Sequence, residues 1–96
     1  MKLSIIENPV EFNQWCSYLR PIWSLDTETT SLSWLELEII GFSISDGVQA
    51  CYVNILPQYK EELIAILKKT IRCAKMIIFH NAAYDLMVLK KEGIEI

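Results

Sequence analysis

The sequence lacks any long hydrophobic run. Its longest apolar stretches are a handful of residues, such as residues 76–79, whereas a helix that crosses a bilayer needs ~20. Glu7 and Asn8 follow the first six residues too early for a signal-peptide core to form. We therefore expect no membrane span, no membrane partner and no export, and we predict a cytoplasmic protein.

Paired cysteines are also missing. Cys16, Cys51 and Cys73 are odd in number and widely spaced, and they include neither a C-x-x-C pair nor a histidine at zinc-ligand spacing. This pattern predicts reduced cysteines that serve in packing, as is usual in the cytosol.

Basic residues are too few to dominate the charge. Nine Lys and Arg residues against twelve Asp and Glu residues give a formal net charge of −3, which excludes a strongly basic protein that binds nucleic acid by charge alone. An enzyme whose bound metal ions meet the phosphates is compatible with this balance. Any affinity for nucleic acid must therefore be local, metal-dependent or supplied elsewhere.

What remains is a chain of 96 residues, 52% hydrophobic and 22% charged, in which we find no repeat, linker or low-complexity segment. This composition is typical of one folded domain. So short a chain buries a smaller share of its surface than a domain of average size, so it must pack well or use a partner.

Helix start and stop signals divide the chain. Asn8 is a predicted N-cap, followed by Pro9 at the first helical position and Glu11 at the third, and the helical spacing ends before Pro21. Two more helices are predicted, one opening at Pro57 and one over residues 81–91 that stops at Gly93.

Short apolar runs predict five β-strands, at residues 3–6, 22–26, 38–45, 48–55 and 75–79. Asp46-Gly47 is a strong hairpin signal, so the third and fourth strands should be antiparallel. The element order β-α-β-β-β-α-β-α predicts an α/β fold, a mixed sheet with helices packed on it.

Asp26 and Glu28 lie two residues apart where an apolar strand ends. Side chains i and i+2 of a strand point to the same face, so the two carboxylates converge on one spot. Close carboxylates repel unless a cation lies between them, and hard cations such as Mg²⁺ or Mn²⁺ favour oxygen ligands. The stretch Asp-Thr-Glu-Thr-Thr-Ser is also rich in cap-forming residues, so a helix-capping or turn cluster is the alternative interpretation.

A second polar group, HNAAYD at residues 80–85, begins at the end of the last predicted strand. Asn81 and Asp85 are four apart and share one helical face near the positive end of the helix dipole, which suits anions, ordered water or the surroundings of a metal ion. Helix capping by Asn81, with Asp85 as a first-turn acid, is the plainer alternative.

Together the two groups resemble the first and second motifs of the DEDD superfamily of 3′→5′ exonucleases. LDTETTSL at residues 25–32 resembles the first motif, and HNAAYDL at residues 80–86 with the later Gly93-Ile94 resembles the second. EIIGFSIS at residues 38–45 and ACYV at residues 50–53 resemble the proofreading domain of the DNA polymerase I type (family A). The likeness spans the whole chain.

The resemblance implies an RNase H-like fold and a DNA 3′-5′ exonuclease that uses two divalent cations, Mg²⁺ or Mn²⁺. It implies that Asp26 binds both ions, that Glu28 binds the ion carrying the attacking water, and that Asp85 holds the other ion. These three acids would be the catalytic and metal-binding residues. The substrate would be a single-stranded DNA 3′ end, the role proofreading in DNA replication and repair, and the partner an attached polymerase domain.

The same resemblance assigns substrate binding to Thr27, Thr29, Leu32, His80, Asn81 and Tyr84. Leu32 would pack against the terminal base, the Thr29 backbone would meet the 3′ end, and Asn81 and Tyr84 would touch the strand. His80 is expected to be structural or to contact substrate, because the catalytic histidine of some relatives lies in the last motif.

The family pattern includes a third motif, with a fourth aspartate, which residues 1–96 do not contain. We therefore interpret the chain as the N-terminal part of a single 3′-5′ exonuclease domain, incomplete at its C-terminal side and with little or no activity alone. The strand at residues 75–79 would then be an unpaired hydrophobic edge, which predicts self-association through this edge or an adjacent apolar face.

Two alternative functions stay open. One is a stand-alone exoribonuclease of the same superfamily, which the Thr-Thr-Ser-Leu stretch and the Gly-Phe-Ser strand argue mildly against. The other is a non-catalytic nucleic-acid-binding or scaffold domain with the same fold. The presence of all three acids expected in the first two motifs argues against it.

Overall fold

The chain alternates strands and helices in the predicted order. The structure, a computed structural model, describes residues 2–31, 33 and 35–96. Its elements are β1 (Lys2–Ile6), α1 (Pro9–Cys16), β2 (Ile22–Thr29), β3 (Ile39–Ser45), β4 (Gln49–Asn54), a 3-10 turn (Pro57–Tyr59), α2 (Lys60–Cys73), β5 (Met76–Phe79) and α3 (Ala82–Lys91). Over these ranges no helix combines the length and the apolar character that crossing a membrane requires.

The five strands form one mixed sheet in the order β1-β4-β3-β2-β5. β3 pairs antiparallel with both β2 and β4, as the hairpin prediction requires. β1 pairs parallel with β4, and β5 pairs parallel with β2. β2 therefore lies between two neighbours, whereas the described parts of β1 and β5 form the two edges.

The hydrophobic core lies on one face of this sheet. All three helices contribute to the same cluster of buried residues, for example Phe12 of α1, Leu67 of α2 and Leu89 of α3. The opposite face, which we call the open face, carries exposed apolar side chains. They are Leu3, Ile5, Ile22, Met76 and Ile78.

The helix ends confirm two of the sequence signals. Asn8 Oδ1 accepts a hydrogen bond from the Glu11 N–H at 2.8 Å, with Pro9 at the first helical position. Gly93 has a φ of +82°, and the Ile94 N–H donates to the Leu89 carbonyl at 2.9 Å, which closes α3 with a Schellman motif. α1 is shorter than predicted, because after Cys16 the chain continues in tighter turns.

The largest error of the sequence prediction concerns β2. The strand was predicted to end at residue 26, but it continues to Thr29, because Thr27 pairs with Phe42 and Glu28 with Gly41 of β3. The polar composition of this stretch conceals an alternation, in which Thr27 faces the core and its neighbours face solvent. α2 also differs, since residues 57–59 form a 3-10 turn before the α-helix starts.

The cysteines match the packing prediction only in part. Cys51 is buried and Cys16 is half-buried, whereas Cys73 at the end of α2 is exposed, and all three are free thiols. Burial, with Cys16 nearby, raises the pKa of Cys51 to about 12. The Cys51 thiol therefore stays protonated and unreactive at neutral pH.

Asp46 stabilises the β3-β4 hairpin and ties it to the segment after α1. Its Oδ1 accepts the backbone N–H groups of Val48 and Gln49, each at 2.9 Å, and its Oδ2 accepts the Arg20 N–H at 3.1 Å. Partial desolvation opposes ionisation, but these donors and the Arg20 charge outweigh it, so the pKa of Asp46 lies below its usual value.

We predict that Asp46→Asn lowers stability at neutral pH and removes part of its acid dependence. The folded-state pKa is depressed, so the stabilisation is present above the unfolded pKa of about 3.9 and is lost as pH falls through the folded value. A loss of about 0.5–1 kcal/mol at pH 7 is expected, because the carboxylate is largely solvated and its interactions are screened, and the loss should be smaller at pH 3, below the unfolded pKa. Urea unfolding at both pH values measures it, with Glu61→Gln in the first turn of α2 as control. An equal loss at both pH values would contradict the assignment.

Candidate active site

β2 presents two kinds of side chain on its two faces. Asp26 and Glu28 are exposed on the open face, whereas Thr27 on the opposite face is only 4% exposed. The predicted convergence of the two carboxylates on one face is confirmed. Both acids lie within the strand, so the interpretation of this stretch as a helix-capping or turn cluster is wrong for them.

The N-terminal turn of α3 lies beside the last residues of β2. β5 ends at Phe79, which pairs with Leu25, so the β5 ladder does not reach Thr27. There, Asp85 takes the place of a strand partner. Its Oδ1 accepts the Thr27 backbone N–H at 3.1 Å and the Thr27 hydroxyl at 2.6 Å. The first and second sequence motifs are thus joined by two hydrogen bonds.

Asp85 is fully buried and half of its carboxylate is unpaired. Its exposed fraction is 0%, and among the described residues its Oδ2 has no hydrogen-bond partner. An unsatisfied buried polar atom costs about 1–3 kcal/mol, and more when the group is charged. Such an atom is usually explained by a water molecule or an ion that completes its contacts.

A second connection joins β2 to α3 next to the first. The hydroxyls of Thr29 and Tyr84 are hydrogen bonded, and the Thr29 hydroxyl also bonds the Ser31 carbonyl at 3.0 Å. Because Thr29 has one hydroxyl proton, which goes to Ser31, Tyr84 is the donor in the pair. Two of the predicted substrate-binding residues therefore contact each other through their side chains.

His80 and Asn81 are exposed between β5 and α3. Asn81 occupies the predicted N-cap position, and its carbonyl accepts the Asp85 N–H at 3.0 Å, but its side chain makes no capping hydrogen bond. Capping is therefore not what its amide does in this structure. Of the other predicted substrate-binding residues, Thr27 has a buried side chain engaged by Asp85, and Leu32 lies outside the described residues.

A cavity of about 270 Å³ opens on the open face beside the carboxylates. Asp26 and His80 line it together with Ser24, Ser43 and Tyr52, among others. The first motif, through Leu25 and Asp26, and the second, through His80, thus line the same depression.

Gly41 and Tyr52 are site neighbours that sequence reasoning missed. A Cβ atom at Gly41 would lie 2.0 Å from the Tyr52 hydroxyl, so glycine is needed where the ring crosses β3. Gly41 is the strand partner of Glu28. The Tyr52 hydroxyl, which lies beside Gly41, is therefore close to the Glu28 position. A glycine inside a strand is the signal that could have indicated this close approach.

The donor set suits a hard divalent cation. Asp26 and Glu28 offer carboxylate oxygens to solvent, and Asp85 Oδ2 is an additional oxygen that no other described residue hydrogen bonds. Over residues 2–31, 33 and 35–96, no three His, Cys, Asp or Glu side chains form a group that could hold a metal ion. The assignment of all three acids to metal ions stays a prediction.

Comparison with known proteins gives a consistent answer. A family model described as 3′-5′ exonuclease matches residues 3–96. No curated protein matches the chain. Among solved structures, the Aedes aegypti Nibbler EXO domain has a TM-score of 0.75 at 12% identity, covering 93% of this chain and 43% of that one. Escherichia coli RNase D, an exoribonuclease involved in structured RNA processing, has a TM-score of 0.73 at 20% identity, covering 95% and 24%.

Brucella melitensis NrnC with bound Mg²⁺ is more similar in sequence. It is 27% identical with a TM-score of 0.60, and the match covers 92% of this chain and 41% of that one. The chain thus spans less than half the length of each of these structures. The neighbours confirm the RNase H-like mixed sheet with helices that the sequence predicts.

Proposed function

The chain belongs to the 3′-5′ exonuclease family, and on this basis we propose that it supplies active-site residues to an enzyme that hydrolyses nucleotides from DNA 3′ ends. The observation that carries the proposal is the exposed pair of Asp26 and Glu28 at the end of β2, next to the buried Asp85. Proofreading for an attached DNA polymerase is the role we assign, in keeping with the likeness to family A polymerases.

Asp26, Glu28 and the free oxygen of Asp85 would hold Mg²⁺ or Mn²⁺. Two such ions stabilise the attacking and leaving oxygens of a phosphodiester when they are bound. The chain's own residues prepare the site: the rigid, doubly paired β2 fixes the spacing of the two exposed carboxylates. His80 lines the same cavity as Asp26, and both His80 and Asn81 present exposed polar groups that suit a nucleotide strand.

The described acids supply three of the four carboxylates that the superfamily pattern requires. We propose that the fourth comes from outside residues 1–96 and that these residues alone hydrolyse DNA slowly or not at all. This proposal accords with the share of the solved structures that the chain covers, between 24% and 43% in those compared above.

A second candidate is an exoribonuclease. The observation that favours it is the fold similarity to RNase D, an exoribonuclease. The same carboxylate site would serve, since hydrolysis of either backbone needs charge stabilisation at phosphate oxygens.

The complete gene product that carries this chain separates the candidates. Strands of DNA and RNA with the same sequence and a 5′ label are incubated with it and Mg²⁺. We expect the DNA to shorten from its 3′ end one nucleotide at a time and faster than the RNA, and a 3′-phosphate control strand to resist. Faster loss of RNA would support the exoribonuclease, and no shortening of either strand would support the non-catalytic scaffold.

A further inference from the structure

Thr27 sits between the two exposed acids but faces the other way. The first motif reads acid, threonine, acid, threonine from Asp26 to Thr29, and the period of two puts acids and threonines on opposite faces of β2. The threonines therefore face α3, where the second motif begins. Among the described residues, their hydroxyls make side-chain hydrogen bonds from β2 to Asp85 and Tyr84 of α3.

The two threonine contacts differ in what they hold. Thr29 bonds Tyr84, which is half-buried and has access to solvent. Thr27 bonds Asp85, which is fully buried, and both of its donors meet the same oxygen, Oδ1. A carboxylate fixed by two donors on one oxygen has a defined orientation, and its other oxygen is presented in one direction.

We propose that Thr27 is the positioning residue of the site: its backbone N–H and hydroxyl clamp Asp85 Oδ1 so that Oδ2 is free to bind a divalent cation. This inference rests on the proposed function and deepens it. It replaces the substrate-binding role predicted for the Thr27 side chain, because that side chain is 4% exposed and already bonded.

Burial is what makes the clamp effective. At a solvated carboxylate, water would compete with the threonine donors, and both oxygens would be equivalent. At Asp85, Oδ1 accepts two hydrogen bonds from Thr27, and Oδ2 accepts none from the described residues. Partners that orient a metal ligand typically change metal affinity 10–100-fold when they are removed.

The test compares Mn²⁺ affinity, measured by calorimetry and by the Mn²⁺ EPR signal, across matched variants. Thr27→Val keeps the shape, the β-branch and the backbone donor but loses the hydroxyl. We expect it to bind Mn²⁺ about tenfold more weakly than the unmodified protein. Thr27→Ser keeps the hydroxyl and should restore affinity to within about threefold, whatever it costs in stability.

Thr29→Val is the matched control, because it removes the neighbouring β2-α3 hydrogen bond without touching Asp85. A merely structural role predicts that Thr27→Val and Thr29→Val both lower the melting temperature and that neither changes the Mn²⁺ affinity. That result would overturn the inference. Equal weakening by Thr27→Val and Thr27→Ser would overturn it too.

Asp26→Asn separates this inference from the function on which it rests. If Asp26→Asn weakens Mn²⁺ binding and Thr27→Val does not, only the positioning role is wrong. These variants are compared in the complete gene product, which is proposed to supply the fourth carboxylate. If that protein binds no Mn²⁺, or Asp26→Asn has no effect on its Mn²⁺ binding, the proposed metal-dependent function fails and the positioning role fails with it.

Discussion

Asp26→Asn is expected to weaken Mn²⁺ binding, and the cation-dependent hydrolysis by the complete gene product, by more than about 100-fold. Replacing a residue that only orients a metal ligand typically costs 10–100-fold, and Asp26 is proposed as a ligand itself. The substitution keeps size and polarity and removes only the charge, so a large effect reports on the carboxylate.

The fold should tolerate this change. The Asp26 side chain is exposed on the open face, and surface substitutions of this kind usually alter the free energy of unfolding by no more than about 0.5 kcal/mol. Glu61→Gln removes the same charge from an exposed position in the first turn of α2 and should leave Mn²⁺ affinity unchanged. Unchanged Mn²⁺ affinity in Asp26→Asn would show that the first motif is not a metal site.

The chain of residues 1–96 is expected to self-associate through β5. This strand pairs with β2 on one side, and the described residues leave its other edge without a partner. Its sequence, MIIF, contains no charged residue, and the Met76 and Ile78 side chains are more than half exposed. An apolar edge of this kind is a template for another strand.

A second copy suits this edge better than an unrelated partner. In an antiparallel pair, Lys75 of one copy lies toward the His80 end of the other, so the two lysines do not meet. β1 forms the opposite edge of the sheet, but Lys2 and Ser4 interrupt its apolar pattern. We therefore propose β5 and not β1 as the contact.

Ile78→Lys should return the chain to a monomer at concentrations where the unmodified chain associates, because a charged side chain at an edge blocks strand addition. Size-exclusion chromatography with light scattering measures the change. Leu3→Lys places the same charge on β1 and should leave the association intact. A monodisperse monomer of the unmodified chain at high concentration would contradict the proposal, and dissociation caused by Leu3→Lys would assign the contact to the wrong edge.

Local signals in the sequence predicted the elements and most of their ends. The Asn8 cap and the stop at Gly93 depend on residues within a few positions of each other, so the sequence displays them directly. The extension of β2 to Thr29 was not predictable in the same way. It depends on pairing with Ile39 of β3, and the polar residues resemble a loop until that partner is known.

The same distinction between local signals and contacts of distant residues applies to the candidate site. The common face of Asp26 and Glu28 follows from the period of a strand and was predicted. The contact between Thr27 and Asp85 joins residues 58 positions apart, and nothing in either motif indicates which threonine meets the acid. The same holds for Tyr52 above Gly41, since only the register of β4 against β3 brings them together.

The side chains of β2 alternate between the two faces of the sheet, so that the two acids are exposed and the core-facing Thr27 between them is buried. Asp26 and Glu28 are exposed, so the two proposed metal ligands add little to the packing that holds the sheet together. Trp23, Leu25 and Thr27 on the other face are buried, so substitutions there act on the packing of the sheet as well. A single substitution of an exposed acid should therefore remove a proposed metal ligand and leave the interior undisturbed, and such a variant of the complete gene product could be used to test strand binding apart from hydrolysis.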